Sequence, residues 1–205
     1  MAGGQRPARR CGAEEINMAV RYFLVAPKDA ALTDVIACAK AAVAAGDCAS
    51  VVIHENAKRE DVVALQELGL AVLMTDVEPR VVSHLKADGL HVTSSEFNLL
   101  DLRMSLPKDA MIGLDCGTSR HAAMEASERG ADYVGFRQRA QTGGEPLVKW
   151  WNDLAEIPAV PLDATSLEEA IILAKHSDFI RPSDDMWQSA AMAHQIITEL
   201  AAKLK

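Results

Sequence analysis

Residues 111–136, MIGLDCGTSRHAAMEASERGADYVGF, contain one complete strand–helix–strand unit. Met111–Asp115 is a short apolar run that ends on an acid, and Tyr133–Phe136 is a second run of the same kind. Between them, Thr118 and Ser119 are suited to accept from the orphan N–H groups of a helix over 118–129. Gly130 is suited to close that helix in a left-handed turn.

The same beat extends in both directions. Strands are expected at Tyr22–Val25, Ser50–His54, Ala71–Thr75, Gly89–Val92, Ala159–Leu162 and Asp178–Arg181 as well. Helices are expected over 29–46, 59–68, 78–87, 96–104, 146–155, 166–175 and 186–203, each with apolar residues at helical spacing on one face. Ser166 ahead of Glu168 and Glu169 reads as an N-cap followed by acidic first-turn residues. Gly46 and Gly69 end helices before strands. A small residue followed by Asp recurs at Asp88, Asp132 and Asp178, 44 and 46 residues apart, the length of two β/α units. These aspartates open the fourth, sixth and eighth strands, on the face that serves stability. Eight strands each followed by a helix predict an α/β fold, a single (β/α)8 TIM barrel over residues 20–205. Such barrels place their chemistry at the C-terminal ends of the strands. A flavodoxin-like open sheet would use fewer strands and a glycine-rich turn after the first, which is absent here.

Composition agrees with one small barrel. Hydrophobic residues make up 49% of 205 and aromatics only 4%, so Val, Leu, Ile and Ala must fill the core. A net charge of -8 argues against nucleic acid or an anionic membrane as partner. No apolar run approaches membrane-spanning length. The four cysteines lack zinc-ligand spacing and any CxxC, which reads as reduced thiols in a cytoplasmic protein. Residues 1–19 read as a disordered N-terminal extension, rich in Gly, Arg and Ala and without the apolar core of a secretory signal.

The stretches ADGLHV (87–92), IGLDCGTSRHAAMEASERGADYVGF (112–136) and IPAVPL (157–162) resemble the thiamine phosphate synthase family, over most of residues 20–185. That resemblance implies a transferase that joins a pyrimidine methyl diphosphate to a thiazole phosphate and releases diphosphate. Its substrates are phosphorylated small molecules, its cofactor Mg²⁺, and a homodimer is a common assembly. It implies metal carboxylates at Asp76 and Glu96, against the plain reading of a helix cap and a first-turn acid. Thr142, with Arg137 or Arg139, is then the expected diphosphate site, although Glu145 stands near an expected lysine. His54 sits where the family carries a Gln-Leu-Arg-x-Lys text, and is a candidate donor or base. Ser183 takes the place of a serine for the thiazole phosphate, and Asp163, which replaces part of a Gly-Gly turn, and Asp115, an acid added to the mouth, are expected with Arg181 at the substrate-binding positions. Arg181 is placed to compensate for Asp163 or to pair with it. Cys116 reads as a quiet small residue, and His91, in the fourth strand, as structural. Two other readings stand beside the transferase: a thiazole-tautomerase-like paralogue, and a non-catalytic ligand-binding or partner barrel.

Overall fold

The structure is a computed structural model that describes residues 20–93, 98–137, 144–163 and 166–204. Its strands are β1 (Arg21–Val25), β2 (Cys48–Ile53), β3 (Ala71–Thr75), β4 (Gly89–Val92), β5 (Met111–Asp115), β6 (Tyr133–Phe136), β7 (Ala159–Pro161) and β8 (Phe179–Ile180). The helices are α1 (Leu32–Ala45), α2 (Arg59–Gln66), α3 (Pro79–Leu85), α4 (Leu99–Ser105), α5 (Arg120–Glu128), α6 (Leu147–Leu154), α7 (Leu167–Ala174) and α8 (Ala190–Lys203). The strands form one parallel sheet in the order β7-β6-β5-β4-β3-β2-β1-β8, which curls into a nearly closed barrel.

Alternation along each strand sorts the core into two layers. Phe23, Val52, Leu73, Tyr133 and Val160 point inward and fill the barrel with Leu162. Their neighbours Leu24, Val51, Ile53, Val72, Met74 and Val134 point outward under the helices. Both faces are covered, so the strands read as nearly unbroken apolar runs. Gly113 on β5 leaves room for the Tyr133 ring of β6, because a Cβ there would lie 1.9 Å from the phenol carbon Cζ.

The recurring aspartates lock strand pairs at the bottom of the barrel. Asp88 accepts from the backbone N–H of Val72 at 2.8 Å, and Asp132 from that of Ile112 at 2.7 Å. Each thus satisfies the strand before its own, and Arg103 ties Asp132 further at 2.6 Å. Ser119 caps α5 through Ala122 N–H, Ser166 caps α7 through Glu169 N–H, and Gly130 is left-handed at φ 86°.

Of the element ends that differ from expectation, two have a clear physical reason. The last helix begins later, because Ser189 caps Met192 N–H and a 3-10 turn over Asp184–Gln188 precedes it. β8 is shortened to two residues, since Pro182 has no N–H with which to extend a ladder. Among the described residues no backbone ladder joins β7 to β8. Side chains bridge that seam instead: Ser177 Oγ donates to Ala159 O at 2.6 Å, and Arg181 Nη1 to Leu162 O at 2.7 Å.

Candidate active site

The C-terminal strand ends surround a cavity of about 340 Å³, with Val25, Val52 and Leu162 in its wall beside Lys28, His54, Glu55, Asp76, His91, Arg137 and Arg181. Tips of β1, β2, β3, β4, β6 and β8 therefore share one pocket. Asp76, just past β3, has a left-handed backbone at φ 48°, a conformation that Asp tolerates better than most residues. Its carboxylate accepts from Thr93 N–H at 2.8 Å and from the Thr93 hydroxyl, tying the tip of β3 to that of β4.

His54 Nε2 lies 3.0 Å from the carbonyl oxygen of Ala26. A carbonyl only accepts, so Nε2 carries the proton and donates. Arg137, just past β6, donates Nε–H to Asp115 at 2.5 Å, and its Nη1 lies 3.6 Å from Asp163. The Asp115 side chain is only 5% exposed and also accepts from Gly117 N–H at 2.9 Å. Burial alone would lower the Arg137 pKa, but the Asp115 hydrogen bond and the two carboxylate charges outweigh it and raise the value.

The expected Arg181–Asp163 pair is replaced by a different pairing. Arg181 meets Asp184 at 2.5 Å, while Asp163 goes to Arg137. The two acids expected to bind substrate thus hold Arg137. Ser183 lies at a second cavity of about 440 Å³ between α7 and α8, apart from the first pocket. Glu145 is occupied by Lys149, at 2.6 Å, one helical turn on. Glu96, Arg139 and Thr142, and the 1–19 extension, lie outside the described residues.

Cys116 is buried, donates to Leu114 O, and has its thiol pushed up to about 12, first by burial and then by the Asp115 charge. It makes a poor nucleophile. The free thiols of Cys38 and Cys48 are buried too. Trp151 donates Nε1–H to Ile157 O, and Trp150 lies under the Arg120 guanidinium at 4.7 Å. Both tryptophans thus have roles in the helical layer.

Three residues that line the pocket were not singled out as site residues from sequence. Lys28 and Thr93 stand just past strand ends, the same signal that singled out Arg137. His91 faces the cavity, which alternation foretells because Leu90 and Val92 on either side point outward. Among the described residues no three His, Cys, Asp or Glu side chains gather as a metal site. A hard divalent ion that takes most of its shell from phosphate and water needs only one or two carboxylates. Asp76, an oxygen donor at the mouth, fits that lesser requirement.

A (β/α)8 barrel with its charged pocket at the C-terminal mouth is the general class that fold and site define. Residues 21–160 match the sequence model of thiamine monophosphate synthase, and the chain belongs to that family. Thiamine-phosphate synthase of Rhodospirillum centenum is 29% identical over 136 residues, covering 62% of this chain and 65% of that protein. The enzyme of the same name from Erythrobacter litoralis is 32% identical over 118 residues, covering 52% and 55%. Each match spans less than two thirds of the relative's length. Thiamine phosphate pyrophosphorylase from Pyrococcus furiosus shares the fold with a TM-score of 0.72, at 15% identity, over 92% of this chain and 96% of that one. No helix among the described residues is long and apolar enough to cross a membrane.

Proposed function

We propose that this barrel couples hydroxymethylpyrimidine diphosphate to a thiazole phosphate and releases diphosphate, with Mg²⁺. The family match over residues 21–160 carries the reading. The pocket supports it in two ways. Its floor is apolar, with Val25, Val52 and Leu162, and suits a flat ring, whereas the charged groups stand at the rim and suit phosphate oxygens. Both rim arginines already have acidic partners, Arg137 with Asp115 and Asp163, and Arg181 with Asp184. A diphosphate entering there needs more positive charge than the arginines supply alone.

Asp76 and Glu96 are the residues that would hold the ion, which, when bound, neutralises the charge developing on the leaving diphosphate. Arg137, held by its two acids, presents the guanidinium face left over to a phosphate oxygen. Lys28, which has no ion pair with any described residue, adds an uncommitted charge at the same rim. His54, its proton fixed on Nε2 by Ala26 O, turns its other ring nitrogen to accept from a ligand donor. The full chain incubated with both substrates and Mg²⁺ should yield thiamine phosphate and diphosphate, and chelation of the metal should stop product formation. No product at high enzyme concentration rejects the reading.

A further inference from the structure

His91 and Tyr133 form a buried polar pair that the roles above leave unused. The His91 Nδ1 atom stands 2.8 Å from the Tyr133 hydroxyl, and the two rings lie nearly parallel, 5° apart, with centroids 5.8 Å from each other. Phe23 closes on both rings edge-on, and Gly113 leaves out the Cβ that would displace the phenol. The pair is thus held from several sides.

Hydrogen-bond accounting fixes which partner donates. A buried hydroxyl proton needs an acceptor. Among the described residues the Tyr133 hydroxyl has one hydrogen-bond partner, His91 Nδ1. If Nδ1 donated instead, the phenol proton would be stranded, so Tyr133 donates and Nδ1 accepts. Burial also raises the phenol pKa well above its ordinary value, with Asp132 and Asp115 adding to the effect, so the hydroxyl keeps its proton. The imidazole is neutral too, because burial lowers its pKa to about 4 against the opposing pull of Asp115 and Asp76. A neutral ring with Nδ1 accepting carries its proton on Nε2. No buried side-chain nitrogen or oxygen among the described residues lacks a partner, and Nε2 has none, so Nε2 is the atom that reaches the cavity.

We propose that Tyr133 is a positioning residue whose hydroxyl holds His91 in the Nε2–H form, giving the cavity floor one uncharged donor for an acceptor atom of a planar ring ligand. The ligand part rests on the coupling reading; the tautomer part does not. A neutral donor on an apolar floor selects a ring nitrogen or oxygen, where the charged rim selects phosphate.

Nitrogen-15 NMR of histidine-labelled full-length protein at pH 7, with His91 assigned by its loss in His91→Gln, tests the first part without ligand. The expected spectrum shows His91 neutral, protonated on Nε2 and bare on Nδ1, with a mixture of tautomers in Tyr133→Phe. A proton on Nδ1 in the wild type, a charged ring, or an unchanged tautomer in Tyr133→Phe overturns the lock. Calorimetric titration with free hydroxymethylpyrimidine tests the second part. Tyr133→Phe should bind it roughly tenfold more weakly than wild type, while the affinity for inorganic diphosphate with Mg²⁺ stays the same. Equal pyrimidine affinity in the two proteins overturns the ligand role. Absence of pyrimidine binding to wild type overturns it too and removes the coupling reading with it, while the spectrum still decides the lock.

Discussion

Burial keeps the His91 imidazole neutral down to a pKa of about 4, against 6.5 for an ordinary histidine. Between those two values the unfolded chain binds a proton that the folded chain refuses, so stability falls as pH drops from 6.5 to 4 and is level outside that window. The full difference corresponds to roughly 3 kcal/mol. Urea unfolding at pH 7, 5.5 and 4 should show that loss, and His91→Gln should flatten the part above pH 5, where few carboxylates titrate. Equal slopes in the two proteins would remove His91 as the cause. Asp115 makes a second claim at the same scale. Its nearly buried carboxylate holds both Arg137 and Gly117 N–H, so Asp115→Asn leaves a guanidinium short of its counter-charge. A loss of roughly 1–3 kcal/mol is expected, read as a Tm lowered by several degrees. An unchanged Tm would mean that solvent or Asp163 replaces the pair at no cost.

Between β5 and β6 the constraint is steric. A methyl group at Gly113 would enter the Tyr133 ring, so Gly113→Ala should cost several kcal/mol, in the range of overpacked cores. If the ring is the obstacle, Gly113→Ala combined with Tyr133→Ala should lose less than the sum of the single changes. Strict additivity in denaturant melts would place the strain in the backbone instead. Asp132 acts on the same strand pair from below, so Asp132→Ala should orphan Ile112 N–H and cost roughly 1–3 kcal/mol. The strands and caps of these elements were legible because alternation, an N-cap serine and a closing glycine are local signals. The recurring Asp was legible as structural for the same reason, since its position at a strand entrance follows from the repeat. Ion pairing was not legible. Arg137 reaches Asp115 across 22 positions and Asp163 across 26, which no local signal announces, and with Asp163 turned to Arg137 the partner of Arg181 is Asp184, three residues on. That His91 also borders the cavity was not read from the sequence, because a strand buried on both faces gives no polar side against which to judge direction.

Around the whole barrel the ladder is unequal. β1, β2 and β3 pair through registers of four residues each, whereas β8 holds β1 through two, and β7 and β8 meet through Ser177 and Arg181 side chains. Backbone amides on either side of that seam have fewer partners to break before they open, so the seam belongs to the low-stability end of the molecule. Arg181 stands on this line and at the cavity rim together, which couples closure of the cylinder to the geometry of the proposed phosphate site. Arg181→Met keeps the length and apolar stem of the side chain but removes the donor to Leu162 O. Hydrogen exchange in the variant should speed up at Ala159, Val160, Leu162 and residues 179–181 while the amides of Val51 and Val72 keep wild-type rates. Acceleration spread evenly over all eight strands would show that Arg181 supports global stability and has no special place at the seam. No acceleration anywhere would show that Ser177 and the helices outside close the barrel without it.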